Sequence, residues 1–212
     1  MKIKVCGMRE PDNIAGVAAL KPDYMGFIFY ERSPRYAGNM QPETMAVLSS
    51  QTKRVGVFVD ASLPEILRRA KRYALDIIQL HGDETPDFCA AIRRYHTVVK
   101  AFGIETTEDL EWTAGYEGCC DYFLFDTKTV LRGGSGKRFD HAVLSAYEGN
   151  TPFFLSGGVA GKGIENLVSI HEKCIAFDIN SRFESRPGIK VVSQVADFLV
   201  TIRKTNDYEQ NR

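Results

Sequence analysis

Short apolar runs recur along the chain at intervals of roughly 20–30 residues, and each closes on a small or polar residue: IKVCG, YMGFIFY, RVGVFV, IIQLHG, VVKAFG, YFLFDT, FFLSGG and IAFDIN. Most of the gaps between them hold apolar positions at helical spacing. Ile14, Val17, Ala18 and Leu20 form one such set, and Ser62 with Glu65 makes a capping box ahead of Ile66, Leu67, Ala70 and Tyr73. Thr85-Pro86 opens a helix with Phe88, Ile92 and Tyr95 on one face, and Asp140 caps the stretch through Ala142, Val143 and Ala146. Val192, Val195, Ala196, Leu199 and Ile202 make the last stripe. The weakest helical pattern is 106–116, spoiled by Thr113, Gly115 and Trp112.

Eight strands alternating with helices predict an α/β fold, a single (β/α)8 TIM barrel with a parallel eight-stranded core. At 212 residues there is no room for a second domain of ordinary size. The barrel is expected over residues 1–205, and the polar end of the chain, 206–212, is expected to fray.

Strands buried on both faces should be nearly continuous in apolar residues, so polar residues inside them need a reason. Here they share a phase. Lys4 and Cys6 alternate with Ile3 and Val5, Gln79 and His81 with Ile78 and Leu80, Asp126 follows Leu124 at period two, and Asp178 and Asn180 flank Ile179. One face is therefore expected to pack on helices, while the other points polar groups into the barrel near its C-terminal mouth, where barrels of this kind build their sites.

Charge narrows the partners. Lys plus Arg and Asp plus Glu are balanced at 27 each, so the overall field gives no reason to expect nucleic acid or a membrane surface. No apolar run nears the roughly 20 residues that span a bilayer, and MKIKVCGMRE has no apolar leader core. Five cysteines without a CxxC pair or a His pair beside them argue for a reducing, cytoplasmic setting and against a metal site.

Within this frame a few residues stand out. Cys6 ends the first strand beside Gly7; it is either a small buried hydrophobe or, in phase with Lys4 at a strand end, a reactive thiol. Asp126 closes YFLFDT, where an acid must be paired, hydrated or functional; a loop cap is the alternative, but its place at a strand end favours catalysis. Asp178 is placed alike for structural hydrogen bonding or for substrate contact. His81 is a hydrogen-bonding wall or a proton carrier, the wall being preferred. Arg35, in ERSPRY, is an exposed loop cation, either solvated or poised for a substrate carboxylate. GGSGK at 133–137, SGG at 156–158 and NSR at 180–182 follow the last three strands, where barrels bind phosphate, so a phosphorylated small molecule is expected.

Taken in order, KVCGMR, GFIFYERSPRY, VGVFVD, IIQLHGDE, VKAFG, FDTK with GGSGKRFD, FLSGGV and FDINSRFESRPGIK resemble the phosphoribosylanthranilate isomerases over nearly the whole chain. The resemblance implies a cofactor-free barrel enzyme of tryptophan biosynthesis; the sequence itself leaves monomer or homodimer open. Its reaction is the Amadori rearrangement of N-(5-phosphoribosyl)anthranilate to the 1-deoxyribulose 5-phosphate isomer. It implies Cys6 as the general base at the sugar C2 and Asp126 as the general acid at the ring oxygen. Arg35 would face the anthranilate, and Gly134, Gly136, Gly157, Gly158 and Ser181 would bind phosphate, while His81 and Asp178 remain candidate substrate contacts. Two departures are plain: Asn180-Ser181-Arg182 replaces a Ser-Ser-Gly type sequence, adding Arg182 as a possible phosphate contact, and Val191 replaces an acid after Pro-Gly-x-Lys.

Two other readings compete. A phosphosugar isomerase of histidine biosynthesis would carry an Asp where this chain has Cys6 and would need a longer barrel for two phosphates. A noncatalytic phosphate-binding barrel would have had no reason to keep both Cys6 and Asp126.

Overall fold

The computed structural model describes residues 1–128, 140–159 and 170–210. Eight parallel strands close into a ring: β1 (Lys2–Val5), β2 (Tyr24–Ile28), β3 (Lys53–Phe58), β4 (Ile77–Leu80), β5 (Thr97–Ile104), β6 (Tyr122–Thr127), β7 (Phe153–Leu155) and β8 (Cys174–Ile179). Closure is direct, because β1 pairs with β2 on one side and with β8 on the other, Lys4 lying opposite Tyr24 and Asp178. Each apolar run of the sequence is one staff of this barrel.

The period-two alternation separates two apolar groups. Outward residues such as Ile3, Val5, Phe27, Ile78, Leu80, Phe123, Phe125, Phe153 and Phe177 join Ile14 and Val17 of α1 (Pro11–Ala18). They also meet Ile66 and Tyr73 of α2 (Leu63–Tyr73), Ile92 of α3 (Pro86–Arg93), and Val195 and Leu199 of α4 (Val192–Gln210). Inward residues Tyr24, Val55, Ile77, Val99, Ala101, Leu124, Phe154 and Ala176 form a second, smaller core inside the ring. Each fully buried large side chain is worth about 1.5–3 kcal/mol over an exposed one, so this interior is a packed plug and not a pore.

The helices follow their caps. Ser62 accepts the Glu65 N–H at 3.4 Å and Thr85 the Phe88 N–H at 3.3 Å, each ahead of a proline in the first turn. Only half of the expected capping box forms, since the Glu65 carboxylate turns to Arg68 and Arg69.

Three expectations need correction. Tyr95 lies past the end of α3 and is 61% exposed, so the buried face of that helix is Cys89 and Ile92, with Phe88 partly covered. Asp140 does cap, accepting the Ala142 N–H at 3.0 Å, but the helix it opens (His141–Ala146) is 3₁₀. Three residues per turn bury His141, Leu144 and Tyr147 instead of Ala142, Val143 and Ala146. The weak 106–116 pattern is also a 3₁₀ helix (Thr107–Tyr116), started by Asp109, whose carboxylate accepts the N–H groups of Glu105 and Thr106.

Among the described residues no helix is long and apolar enough to cross a membrane.

Candidate active site

The polar residues picked out by phase converge at the C-terminal mouth. Cys6 lies one residue beyond β1, its N–H still bonded to Ile179 O at 2.9 Å, so the backbone under the thiol is held by β8. Gly26 makes the thiol's space: a Cβ there would lie 2.7 Å from Cys6 Sγ and 3.2 Å from Lys4 Cε. Gly7, at φ +77°, then turns the chain away between Asn180 and Arg35.

Lys4 is fully buried inside the barrel, donating from Nζ to Asp178 Oδ2 at 2.8 Å and lying against the Cys6 thiol. Burial works against its charge, but Asp178 and Cys6 outweigh that, and its pKa is raised. For Cys6 burial dominates and pushes the thiol pKa up; Lys4 and Lys190 pull it back, and Asp178 adds to the rise.

Three strands round the ring, Asp126 sits on β6 opposite Gly103 of β5. Its Oδ1 accepts the Thr127 N–H at 2.8 Å, and Ser156 also bonds to it. Gly157, at φ +71°, packs over this corner, where a Cβ would lie 2.7 Å from Thr127 N and 3.1 Å from Asp126 Oδ1. The loop is pinned from outside by buried His141, whose Nε2 donates to Gly157 O at 2.8 Å. Burial raises the Asp126 pKa against these hydrogen bonds and the Lys4 charge, which favours a protonated acid.

His81 faces Asp126 with Nε2 3.8 Å from Oδ2, and its Nδ1 receives the Gln79 amide at 2.9 Å, which leaves the ring proton on Nε2. Burial, then Lys100 and Lys4, push its pKa down to about 4. The imidazole is therefore neutral at ordinary pH and makes no ion pair with Asp126. Two acceptors beside it, Gln79 Oε1 and Asp178 Oδ1, are buried without a hydrogen-bond partner.

Residues 3–201 match the family described as N-(5'phosphoribosyl)anthranilate (PRA) isomerase. The chain belongs to this family. It is similar, at 47% identity over 206 residues, to the N-(5'-phosphoribosyl)anthranilate isomerase of Parabacteroides distasonis, with 95% of this chain and 93% of that protein covered. Among solved structures it resembles the phosphoribosyl anthranilate isomerase of Thermus thermophilus at a TM-score of 0.83 and 28% identity, covering 96% of this chain and 99% of that one. It also resembles, at a TM-score of 0.80 and 27% identity over 94% and 96% of the two chains, a phosphoribosyl anthranilate isomerase in complex with reduced 1-(o-carboxyphenylamino)-1-deoxyribulose 5-phosphate.

Against the isomerase pattern, Arg35 is the residue whose surroundings differ most from expectation. It is not an exposed loop cation: it is 9% exposed, and its Nε and Nη2 grip Glu184 Oε2 at 3.0 and 2.7 Å. A bridge between Ile28 and Tyr36 ties the end of the ERSPRY segment to β2; within the segment Arg35 is buried, while Glu31, Arg32 and Pro34 stay exposed. Gly157 and Gly158 both adopt positive φ, +71° and +81°, at the end of β7, and Ser181 and Arg182 occupy the single 3₁₀ turn Ser181–Phe183 after β8. Gly134 and Gly136 lie outside the described residues. Glu184, Lys190 and Gly26 belong to the site and were missed by residue type: the first two sit in what looks like a polar turn, and a glycine inside a strand was the only signal for the third. Among the described residues no group of three or more His, Cys, Asp or Glu side chains is arranged to hold a metal ion.

Proposed function

We propose that Cys6 and Asp126 are the base and the acid with which this chain isomerises N-(5'-phosphoribosyl)anthranilate in tryptophan biosynthesis. Asp126 in its protonated form, which burial favours, gives its proton to the furanose ring oxygen; the C1–O bond breaks and the anilino nitrogen's lone pair forms the C=N bond. Cys6 as thiolate takes the proton from C2, the electrons of that C–H bond move into C1–C2, and the enolamine tautomerises to the ketone. A thiolate made scarce by burial is also a stronger base. Their strands lie three places apart round the ring, so a sugar in the mouth is held between them.

The observation that carries this reading is that one buried ammonium reaches both groups: Lys4 acts electrostatically on both Cys6 and Asp126 while bound to Asp178. Arg35 presents to the anthranilate carboxylate its Nη1 edge, the one turned away from Glu184. Asp178 Oδ1 and Gln79 Oε1 accept substrate hydroxyl or N–H groups, and neutral His81 walls the acid. The phosphate rests on the backbone of Gly134, Gly136, Gly157, Gly158 and Ser181, with Arg182 adding a cation.

The test is loss of phosphoribosylanthranilate fluorescence, the labile substrate being made in situ. Turnover with wild type and its near-absence in both Cys6→Ser and Asp126→Asn would support the assignment. A sulfate soak should place the anion beside Gly158 and Ser181; an anion bound on another face would refute the phosphate seat.

A further inference from the structure

After β8 the chain does not pass straight into α4. It makes a small hairpin, β9 (Glu184–Arg186) and β10 (Ile189–Lys190), turned at Gly188 with φ +86°. Both ends of this hairpin carry charges that are withdrawn from water: the Lys190 side chain is 0% exposed and that of Glu184 is 3% exposed. A lysine at a hairpin end could lie in solvent at no cost, whereas burying an ammonium costs several kcal/mol unless it is well paired.

Lys190 is fixed at both ends. Its backbone exchanges two hydrogen bonds with the Asn13 side chain of α1, each 2.8 Å, and its Nζ donates to Glu184 Oε1 at 2.6 Å and Asn180 Oδ1 at 2.7 Å. The Glu184 carboxylate is shared, because it also takes Arg35 and the Gly188 N–H at 3.0 Å. One anion thus serves two cations, which leaves excess positive charge beside residue 7. A Cβ on Gly7 would lie 2.6 Å from the Asn180 oxygen that holds Lys190 and 2.7 Å from Arg35 Cδ.

We infer that Lys190 is a positioning residue for Cys6: its ammonium, set by Glu184, Asn180 and Asn13, supports the Cys6 thiolate from the hairpin side as Lys4 does from within β1. The inference rests on the reading of Cys6 as the base. The charged groups acting on the thiol are Lys4 of β1 and Lys190 of β10, which favour the anion, and Asp178 of β8, which opposes it together with burial. Arg35 and Glu184 stand behind Lys190, and the neutral His81 and the acid Asp126 line the mouth from β4 and β6.

The experiment reads the thiolate without turnover. The rate of Cys6 alkylation by iodoacetamide, followed on the Cys6 peptide, is measured against pH in wild type, Lys190→Gln and Lys190→Met, alongside the pH profile of kcat/KM. Lys190→Gln can still donate to Asn180 and Glu184, so it reports on charge alone should Lys190→Met fail to fold. The expected result is a midpoint for alkylation displaced upward by roughly one unit, a roughly ten-fold slower alkylation below it, and the same displacement of the rising limb of kcat/KM. An unmoved alkylation midpoint in a folded variant overturns the inference whatever happens to turnover. A moved alkylation midpoint with an unmoved kcat/KM limb upholds the link from Lys190 to the thiol and overturns Cys6 as the base.

Discussion

The two ends of the barrel interior are built by the same strands with the same period-two alternation, yet they are opposite in chemistry. At the lower end Tyr24, Val55, Ile77, Val99, Leu124, Phe154 and Ala176 fill the ring with apolar contacts. At the mouth the next inward positions are Cys6, Gln79, His81, Asp126 and Asp178, where burial raises the pKa of two carboxyls and a thiol and leaves two oxygens without partners. The plug provides the stability that the mouth spends, and substitutions should separate the two.

The largest effect is expected from Asp126→Asn, which keeps the acceptor for Thr127 N–H but has no carboxylic proton; kcat should fall by roughly 10²–10⁴, about 3–5 kcal/mol of transition-state stabilisation. Its stability should move the other way. Because burial raises the folded pKa of Asp126, ionisation costs folding free energy that is absent in acid and grows as pH rises through that value. The amide escapes this cost, so Tm should match wild type at low pH and equal or exceed it at neutral pH. Thermal melts across pH check both arms.

Leu124, two residues before Asp126 on the same strand face, is the counterpart in the plug. Leu124→Ala should cost about 2–5 kcal/mol in denaturant unfolding. The folded fraction should keep KM, since nothing at the mouth is removed. Next comes Gly26→Ala, whose methyl would lie 2.7 Å from Cys6 Sγ and displace the thiol; kcat should drop on the order of 10-fold or more while KM moves less. Smallest of all is exhaustive EDTA treatment, after which the rate should be unchanged; loss restored by a divalent ion would remove the metal-free acid–base scheme.

The same contrast explains what could be read without coordinates. Strand number, barrel closure and the inward phase of Lys4, Cys6, Gln79, His81, Asp126 and Asp178 all follow from alternation within short runs, a local signal. Helices with a strong cap and stripe were equally legible, whereas 106–116 and 141–146 form 3₁₀ helices, and at 141–146 a 3.6-residue period picks the wrong face. Arg35 could not be placed from residue type, because its burial depends on Glu184, 149 positions away. Lys190 is alike: its partners Asn13 and Asn180 come from opposite ends of the chain, brought together only by closure of β8 onto β1.

The central claim is that a buried thiol in the mouth removes the sugar C2 proton, and the most direct measurement is kcat/KM of Cys6→Ser against pH beside wild type. Wild type should rise with pH as the thiol ionises, from a value that burial has pushed up. Cys6→Ser, folded as judged by circular dichroism, should lose 10²-fold or more and with it the rising limb, because a hydroxyl does not ionise in this range. A folded Cys6→Ser that keeps more than about a tenth of the wild-type rate, a loss under ~1.4 kcal/mol, would contradict the account and leave Cys6 as packing alone.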